Sequence, residues 1–324
     1  MFTNFQDYLA ALKPRLNEAF DRQLSIILGS VSLKNAPSFI STLEAGKKIR
    51  GCLSCMISDA LGGTLESAIP RAVAVELIQA ATLIHDDFVD QDTMRRNQPA
   101  AWTLEGARRA VLIGDVIFAT AIKMMSDISR EDGAAVSHAI AQLSRGALHE
   151  PLDPFALSQE IESHRMNEKL YEKIIHLKTG ILFGTACRLG AIGAGAGGKL
   201  SEATYRYGLR IGEAYQIADD LVDLKQTLLS RSIHPQQMAA LAPALLYFAG
   251  QIRPHILPIL RGKSLEIGEP LAEFLNQTVK LMEQEIERRL QSAVSEIEVD
   301  FPKNEYRELV RRTPWDLIQM FNES

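Results

Sequence analysis

The chain has few of the features that mark secreted, membrane-spanning or nucleic-acid-binding proteins. It has three cysteines in 324 residues, Cys52, Cys55 and Cys187. This number is too small for a disulfide framework and is typical of a reducing compartment such as the cytoplasm. Cys52 and Cys55 have the spacing of half a zinc or redox site, but no second cysteine or histidine pair lies nearby. We therefore expect both to be small buried residues.

Long apolar runs and an excess of positive charge are also missing. No apolar run approaches the roughly 20 residues needed to span a bilayer. The first seven residues have neither the basic nor the apolar region of a signal peptide. The net charge of −5 gives no support for nucleic-acid binding. We expect a cytoplasmic protein with no transmembrane segment and no nucleic-acid partner.

The alternation of apolar and polar residues that marks half-buried strands is nearly absent. Apolar residues instead recur at three- and four-residue steps, as at Val73, Leu77, Ala81 and Ile84. The same steps are found in the stretches 111–128, 170–194, 205–225 and 271–294. No low-complexity linker divides the chain. The prediction is an all-α fold, with residues 1–324 forming one domain of ten or more helices around a central cavity.

Six aspartates stand in two copies of the pattern Asp-Asp-x-x-Asp, each inside an apolar helical stretch. They are Asp86, Asp87, Asp90, Asp219, Asp220 and Asp223. Carboxylates near a core are costly unless a cation binds them. The first and last Asp of each copy lie one turn apart on one helix face. Two such helices facing each other would form the oxygen-rich site that Mg²⁺ prefers, usually together with phosphate oxygens, so the pattern predicts a phosphorylated substrate.

Short basic and polar groups lie close to the two acidic motifs along the chain. They are Lys47, Lys48, Arg50, Arg95, Arg96, Lys178 with Thr179, and Tyr215 with Gln216. A diphosphate needs such a mixture, because Mg²⁺ bridges some of its oxygens while Arg and Lys bind the others. Two acidic and two basic groups suggest two diphosphates, one bound through metal and one held by cations alone.

Together these stretches resemble the trans-isoprenyl (polyprenyl) diphosphate synthase family. The matching segments are residues 46–50, 82–90, 94–96, 114–115, 178–179 and 216–223. The resemblance implies the isoprenoid synthase fold, a homodimer and three Mg²⁺ ions per active site. It implies an enzyme, a prenyltransferase that condenses isopentenyl diphosphate with an allylic prenyl diphosphate, head to tail, to an all-trans product.

The resemblance also implies roles for individual residues. The six aspartates would be the metal ligands, and the residues that carry the chemistry would be Asp86, Asp90, Lys178 and Asp219. The residues that bind the two diphosphates would be Lys47, Arg50, Gln79, Arg95, Arg96, Lys178, Thr179 and Gln216. Of these, Arg95, Lys178 and Gln216 would bind the allylic diphosphate, whereas Lys47, Arg50 and Arg96 would bind isopentenyl diphosphate.

The residues one turn before the first motif bear on product length. Ala81 and Thr82 are small, whereas bulky aromatic residues at these positions stop chain growth early in the family. The resemblance therefore implies products of C20 or longer. Phe118, Met124 and Met125 are either a deeper floor of the cavity or ordinary core residues.

Three positions depart from the family's pattern. Gln79 stands where the family usually has His, and Asn97 stands where it usually has Gly. The family also has a Gly- and Lys-rich loop after the second motif. Here that loop lacks both lysines, unless Lys225 or Arg231 substitutes for one of them. Two alternatives therefore stay open: a class I terpene cyclase or prenyl diphosphate hydrolase, or a non-catalytic subunit of a synthase.

Overall fold

Helices account for nearly all of the regular structure. The computed structural model describes residues 2–31, 40, 43, 46–95, 97–150, 153–163, 169–262, 265–298 and 301–321. The first helices are α1 (Phe5–Gly29), α2 (Ile49–Ala60), α3 (Leu65–Val89), α4 (Ala101–Glu105), α5 (Ala107–Ile128), α6 (Arg130–Ala147), α7 (Pro154–Glu162) and α8 (Leu170–Ile174). A π-helical segment (Ile175–Gly180) joins α8 to α9 (Ile181–Gly193). The last helices are α10 (Gly198–Ser230), α11 (Pro235–Phe248), α12 (Arg253–Leu260), α13 (Glu269–Ile297) and α14 (Arg307–Gln319).

A 3-10 turn (Gly250–Ile252) and two short antiparallel ladders complete the regular structure of the described residues. The strand β1 (Met94–Arg95) pairs with β2 (Gln98–Pro99), and β3 (Ser232–Ile233) pairs with β4 (Leu265–Glu266). Each strand has only two residues: the first ladder closes the loop after α3, and the second joins the segment after α10 to the segment before α13. The predicted all-α fold with ten or more helices is confirmed.

The starts of the helices follow from capping side chains. Asn4 accepts a hydrogen bond from the Asp7 backbone N–H at 2.8 Å, and α1 begins at the next residue, Phe5. Ser129 caps α6 in the same way, accepting from the Asp132 N–H at 3.0 Å. Short polar side chains are favoured at such positions because they bind an N–H group that has no partner within the helix.

The helices that carry the two acidic motifs lie in the interior of the bundle. Helix α3 packs on α2 and α5, and α10 packs along α9 and α13. The residues of α3 from Arg71 to Ile78 are all buried. An 18-residue window of α3 is long and apolar enough to cross a membrane, but 67% of it is buried inside the fold. The apolar character of α3 is therefore explained by its place in the core.

The π-helical segment lies directly against α10. A Cβ added to Gly212 would lie 2.8 Å from the Gly180 Cα, so the two backbones can approach this closely because residue 212 has no side chain. A π-helical turn carries one residue more than an α-turn and often marks a functional site. Here it holds Lys178 and Thr179 opposite the second acidic motif.

The three cysteines are free and buried, as predicted for Cys52 and Cys55. Burial raises the pKa of all three thiols well above the ordinary value. They therefore act as small apolar residues.

Candidate active site

A cavity of about 290 Å³ lies between the two acidic helices. Three of the six aspartates line it: Asp86 and Asp90 from the first motif and Asp219 from the second. The polar residues that line it with them are Arg50, Gln79, Thr82, Arg95, Lys178, Thr179, Tyr215 and Gln216. The apolar part of its wall is formed by Leu83, Leu143 and Ala147. The structure thus brings together most of the predicted site residues, although they come from positions 50 to 219.

The first motif stands at the C-terminal end of α3. The helix ends at Val89 and Asp90 is its capping residue. The carbonyl groups at a helix C-terminus carry partial negative charge, so carboxylates are unfavourable there unless a cation is present. Asp86 and Asp90 therefore add their charge to a position that already attracts cations.

Asp87, the second aspartate of the first motif, does not line this cavity. It is 1% exposed and forms an ion pair with Arg95. This pair ties the end of α3 to the short β1 strand. Arg95 thus contacts both the cavity and Asp87, while Arg96 lies outside the described residues.

The three carboxylates of the second motif lie in three different environments. Asp219 faces the cavity shared with Asp86. Asp220 accepts hydrogen bonds from the Tyr171 hydroxyl at 2.6 Å and from the Gln216 side-chain amide at 3.0 Å. Asp223 lines a separate cavity of about 360 Å³ between α10 and α11. The single cage of six aspartates that the sequence suggests is therefore not assembled in the described residues.

Lys178 and Thr179 project from the π-helical segment towards α10. The Thr179 hydroxyl donates to the Gln216 side-chain oxygen at 2.5 Å. Gln216 in turn donates to Asp220, so its amide orientation is determined at both ends. The Lys178 ammonium donates two hydrogen bonds to Glu150, at 2.7 and 2.6 Å.

The charges in the cavity alter one another's pKa values. Burial, the largest effect, raises the pKa of Asp86 to about 6; Lys178 opposes this and the like charges of Asp90 and Glu150 add to it. Burial likewise raises the pKa of Asp90 and Asp219. Burial alone would lower the pKa of Lys178, but the neighbouring carboxylates raise it. The cavity therefore holds a charged ammonium among carboxylates that are costly to ionise without a cation.

A second cavity of about 170 Å³ adjoins the first and is more basic. Its lining includes Lys47, Lys48, Arg50 and Glu76. The Glu76 carboxylate accepts from the Gly51 N–H at 2.7 Å and thereby holds the start of α2 against α3. The two cavities share a wall, which is formed by Arg50, Gln79, Leu83 and Tyr215.

Three residues of the site were missed by the sequence analysis. Glu150 follows α6, and its sequence separation from Lys178 gave no reason to pair them. Glu76 and Tyr171 lie within apolar stretches and belong to no recognisable motif. Only the packing of separate helices reveals such partners.

The segment after the second motif is the one in which the family's two loop lysines are missing. Helix α10 continues to Ser230, and α11 begins at Pro235. The Lys225 ammonium donates to Glu283 of α13 at 2.8 Å, and Ala239 is buried. Arg231 is the exposed capping residue of α10, in a left-handed conformation with φ 52°. No residue of 225–243 lines the cavity that holds Asp86 and Asp219.

The residues considered for product length differ in their surroundings. Ala81 is fully buried in the core, whereas Thr82 lines the cavity. Met125 is fully buried, and the Phe118 ring packs edge-on against the His85 ring at 5.4 Å between centroids. Met124 and Phe118 are partly buried residues packed on the core.

Comparison with known proteins extends this picture. The sequence profile of the polyprenyl synthetase family matches residues 34–230, more than half of the chain. The chain belongs to the polyprenyl synthetase family. The match ends at Ser230, the last residue of α10. The family's sequence pattern therefore covers both acidic motifs and ends within the segment that follows the second motif.

Curated relatives in the family are about one third identical to this chain over the stretch that aligns. A geranylgeranyl diphosphate synthase from Methanosarcina mazei is 33% identical over 180 residues, 55% of each chain. A geranylfarnesyl diphosphate synthase from Aeropyrum pernix is 34% identical over 190 residues, 55% of this chain and 57% of its own. The chain thus matches little more than half the length of these relatives.

Solved structures of polyprenyl synthetases have the same fold over nearly the whole chain. A geranylgeranyl pyrophosphate synthase from Lactobacillus brevis superposes with a TM-score of 0.74 at 22% identity, covering 95% of this chain and 97% of its own. A decaprenyl diphosphate synthase from Rhodobacter capsulatus gives 0.70 at 23% identity, covering 98% and 99%. The isoprenoid synthase fold therefore extends beyond the part of the sequence that the family profile matches.

Proposed function

We propose that the protein is a polyprenyl diphosphate synthase, a prenyltransferase that condenses isopentenyl diphosphate with an allylic prenyl diphosphate. The observation that carries the proposal is the pair of adjoining cavities. One contains carboxylates and cations together, and the other is mainly basic. Two diphosphates with different partners would fit this pair, and their reacting carbons would meet at the shared wall.

The donor set of the first cavity fits Mg²⁺. Asp86, Asp90 and Asp219 offer only oxygen donors, which a hard divalent cation prefers. In the described residues no three acidic, His or Cys side chains converge on one point. That arrangement suits Mg²⁺ that arrives with a diphosphate, because Mg²⁺ commonly takes one or two carboxylates and completes its shell with phosphate oxygens and water. When bound, Mg²⁺ would stabilise the negative charge of the leaving diphosphate.

The protein's own side chains would bind and orient the allylic diphosphate. Lys178 and Arg95 supply positive charge at the cavity wall, and Gln216 is held in one orientation by Thr179 and Asp220. Breaking the allylic C–O bond places charge on the diphosphate, so fixed cations lower the barrier. Leu83, Leu143 and Ala147 would exclude water from the allylic cation.

The second cavity would hold isopentenyl diphosphate. Lys47 and Arg50 line it. The family resemblance assigns the same diphosphate to Arg96, which lies outside the described residues. Gln79 lines both cavities and supplies hydrogen-bond donors where the family has His. The double bond of isopentenyl diphosphate would attack the allylic cation at the place where the two cavities adjoin. A C–C bond forms, and the proton then lost passes to an oxygen of the released diphosphate.

The finer properties are also part of this proposal. We propose head-to-tail elongation to an all-trans product of C20 or longer, because Thr82 is a small residue on the cavity wall. Three Mg²⁺ ions would bind per active site. The protein would be a cytoplasmic homodimer whose residues 1–324 form one domain, without a transmembrane segment or a nucleic-acid partner.

One observation favours a second candidate. The sequence match to the family ends at Ser230, and Lys225 binds Glu283 instead of facing the cavity. A site with fewer cations near the leaving group would suit a class I terpene cyclase or prenyl diphosphate hydrolase, or a non-catalytic subunit of a synthase. Lys47 and Arg50 in the second cavity favour the condensation over these alternatives.

The test is incubation of the pure protein with Mg²⁺ and farnesyl or geranylgeranyl diphosphate, with and without labelled isopentenyl diphosphate. Labelled products that are longer by five-carbon units would support the transferase and give the chain length. Release of diphosphate without isopentenyl diphosphate would favour a cyclase or hydrolase. No reaction by the pure protein, together with activity on adding a second synthase subunit, would favour the non-catalytic role.

A further inference from the structure

A carboxylate from outside the two acidic motifs reaches Lys178. Glu150, just beyond the end of α6, accepts hydrogen bonds from the Lys178 ammonium on both of its oxygens, at 2.7 and 2.6 Å. The two side chains are only 30% and 29% exposed. An ion pair that is shielded from solvent on this scale is stronger than one on an open surface.

The packing of α6 builds this pair into the fold. A Cβ added to Gly146 would lie 2.8 Å from the Leu177 Cβ and 3.2 Å from the Lys178 backbone N. The last turn of α6 therefore lies directly on the π-helical segment, which is possible only because residue 146 has no side chain. Glu150 follows four residues later, so it meets Lys178 without any long loop between them.

The Lys178 ammonium binds Glu150 and lies on the same cavity as the carboxylates of Asp86, Asp90 and Asp219. Glu150, Asp86 and Asp90 raise its pKa, and it lowers the pKa of Asp219. Each of these four groups competes for the same positive charge. A divalent cation that enters the cavity carries twice the charge of an ammonium group, so it would compete with Lys178 for them. An ammonium group has only donors, so once displaced it would bind phosphate oxygens.

We propose that Glu150 is a further carboxylate of the metal–diphosphate site. In the free protein Glu150 holds Lys178, and when a diphosphate binds, Glu150 exchanges Lys178 for the cation. Lys178 passes to the diphosphate oxygens, Glu150 turns to the metal, and no covalent bond is made or broken. This inference rests on the proposed function, because its ligand is the metal-bound diphosphate. Glu150 belongs to neither acidic motif, so this role is additional to those of the six aspartates.

The test measures binding, independently of turnover, in the wild-type protein and the variant Glu150→Gln. Calorimetry gives the affinity for inorganic diphosphate in buffer that contains a chelator. Electron paramagnetic resonance gives the affinity for Mn²⁺ in the presence of saturating inorganic diphosphate. In Glu150→Gln we expect metal-free diphosphate to bind about tenfold more tightly and Mn²⁺ about tenfold more weakly, the scale of one hydrogen bond to a charged group.

Two controls separate this exchange from a general change of charge. Glu131→Gln makes the same chemical change in the first turn of α6, about 25 Å away along the helix, and should alter neither affinity. The double variant Glu150→Gln/Lys178→Gln should lose the gain in metal-free diphosphate affinity, because that gain requires the released ammonium. Should Glu150→Gln not fold, Glu150→Asp keeps the charge on a shorter side chain and should shift both affinities in the same directions by less.

The outcomes distinguish this inference from the proposed function. Opposite shifts of the two affinities would support the exchange. An unchanged Mn²⁺ affinity, or weaker metal-free binding of diphosphate, would overturn it and leave the proposed function intact. If the wild-type protein bound diphosphate neither with nor without Mn²⁺, the proposed function would be overturned together with this inference.

Discussion

At the residue scale, identical aspartates of the two motifs have different surroundings. Neighbours in a helix point about 100° apart, so Asp87 and Asp220 cannot share the direction of Asp86 and Asp219. Asp87 pairs with Arg95, and Asp220 binds Tyr171 and Gln216. These two carboxylates hold the walls of the site in place, while Asp86, Asp90 and Asp219 face the cavity.

This division predicts unequal effects of alanine substitutions. Asp86→Ala and Asp219→Ala should each lower kcat/KM about a thousandfold or more, because each removes a carboxylate that would bind metal in the shared cavity. Asp223→Ala should lower it less than about tenfold, because Asp223 lines a separate cavity. Steady-state rates with isopentenyl diphosphate and an allylic primer measure both. Equal losses for Asp219→Ala and Asp223→Ala would contradict the division.

At the element scale, α3 supplies both the acidic end of the cavity and part of its apolar wall. Thr82 and Leu83 line the cavity one turn before Asp86, while Ala81 points into the core. Under the proposed function, one helix would therefore relate the position of the leaving group to the path of the hydrocarbon tail.

This relation predicts a change of product length. Thr82→Phe should shorten the product by at least one five-carbon unit, because an aromatic ring would fill the space next to Asp86. Product analysis by chromatography measures it. Ala81→Phe is the matched control: it should instead destabilise the fold by about 1–3 kcal/mol through overpacking. An unchanged product in Thr82→Phe would mean that the tail does not pass along α3.

The contact between the π-helical segment and α10 gives a second prediction at this scale. Gly212→Ala should lower both the melting temperature and the affinity for inorganic diphosphate. The new Cβ would lie 2.8 Å from the Gly180 Cα and push Lys178 and Thr179 away from the site. Gly198→Ala, in the first turn of the same helix, meets nothing within 4 Å and should be neutral or slightly stabilising. Calorimetry and thermal melts compare the two variants, and equal behaviour would contradict the role of this contact.

At the scale of the whole molecule, a buried charge network joins three elements behind the site. Glu213 of α10 binds His176 of the π-helical segment at 2.9 Å and forms an ion pair with Arg289 of α13. Burial alone would raise the pKa of Glu213, but the hydrogen bond from His176 and the charges of Arg289 and Arg210 lower it below the ordinary value. The folded protein therefore prefers the ionised form more than the unfolded chain does.

The sign of this shift gives a prediction for acid stability. Because the folded pKa is the lower one, Glu213 stabilises the fold above the ordinary glutamate pKa, and this contribution is lost as pH falls through the folded pKa. Glu213→Gln should destabilise the protein at pH 7 by about 3 kcal/mol, as expected for breaking a buried ion pair. The difference from wild type should shrink as the pH is lowered below the ordinary glutamate pKa of 4.5. Denaturant unfolding at several pH values measures this, and a difference independent of pH would contradict it.

The all-α fold and the family could be predicted from the sequence. Apolar residues at three- and four-residue steps predicted the all-α fold, which is confirmed, because helix periodicity depends on local spacing alone. The two Asp-Asp-x-x-Asp motifs and the short basic groups identified the family in the same way. The placement of Asp86, Lys178 and Asp219 on one cavity agrees with the prediction, although their individual roles stay predictions.

What the tertiary structure alone decided is how these groups are paired. The sequence could not distinguish Asp219 from Asp223, because both occupy one helix face and the cavity that Asp223 lines is completed by the distant helix α11. It could not assign Glu150 to Lys178, because their contact depends on the close approach of α6 at Gly146. The sequence by itself determined the fold class and the family, and it predicted which residue types would bind a diphosphate and a cation. The packing of distant helices decided which carboxylate faces the cavity and which one holds a neighbour.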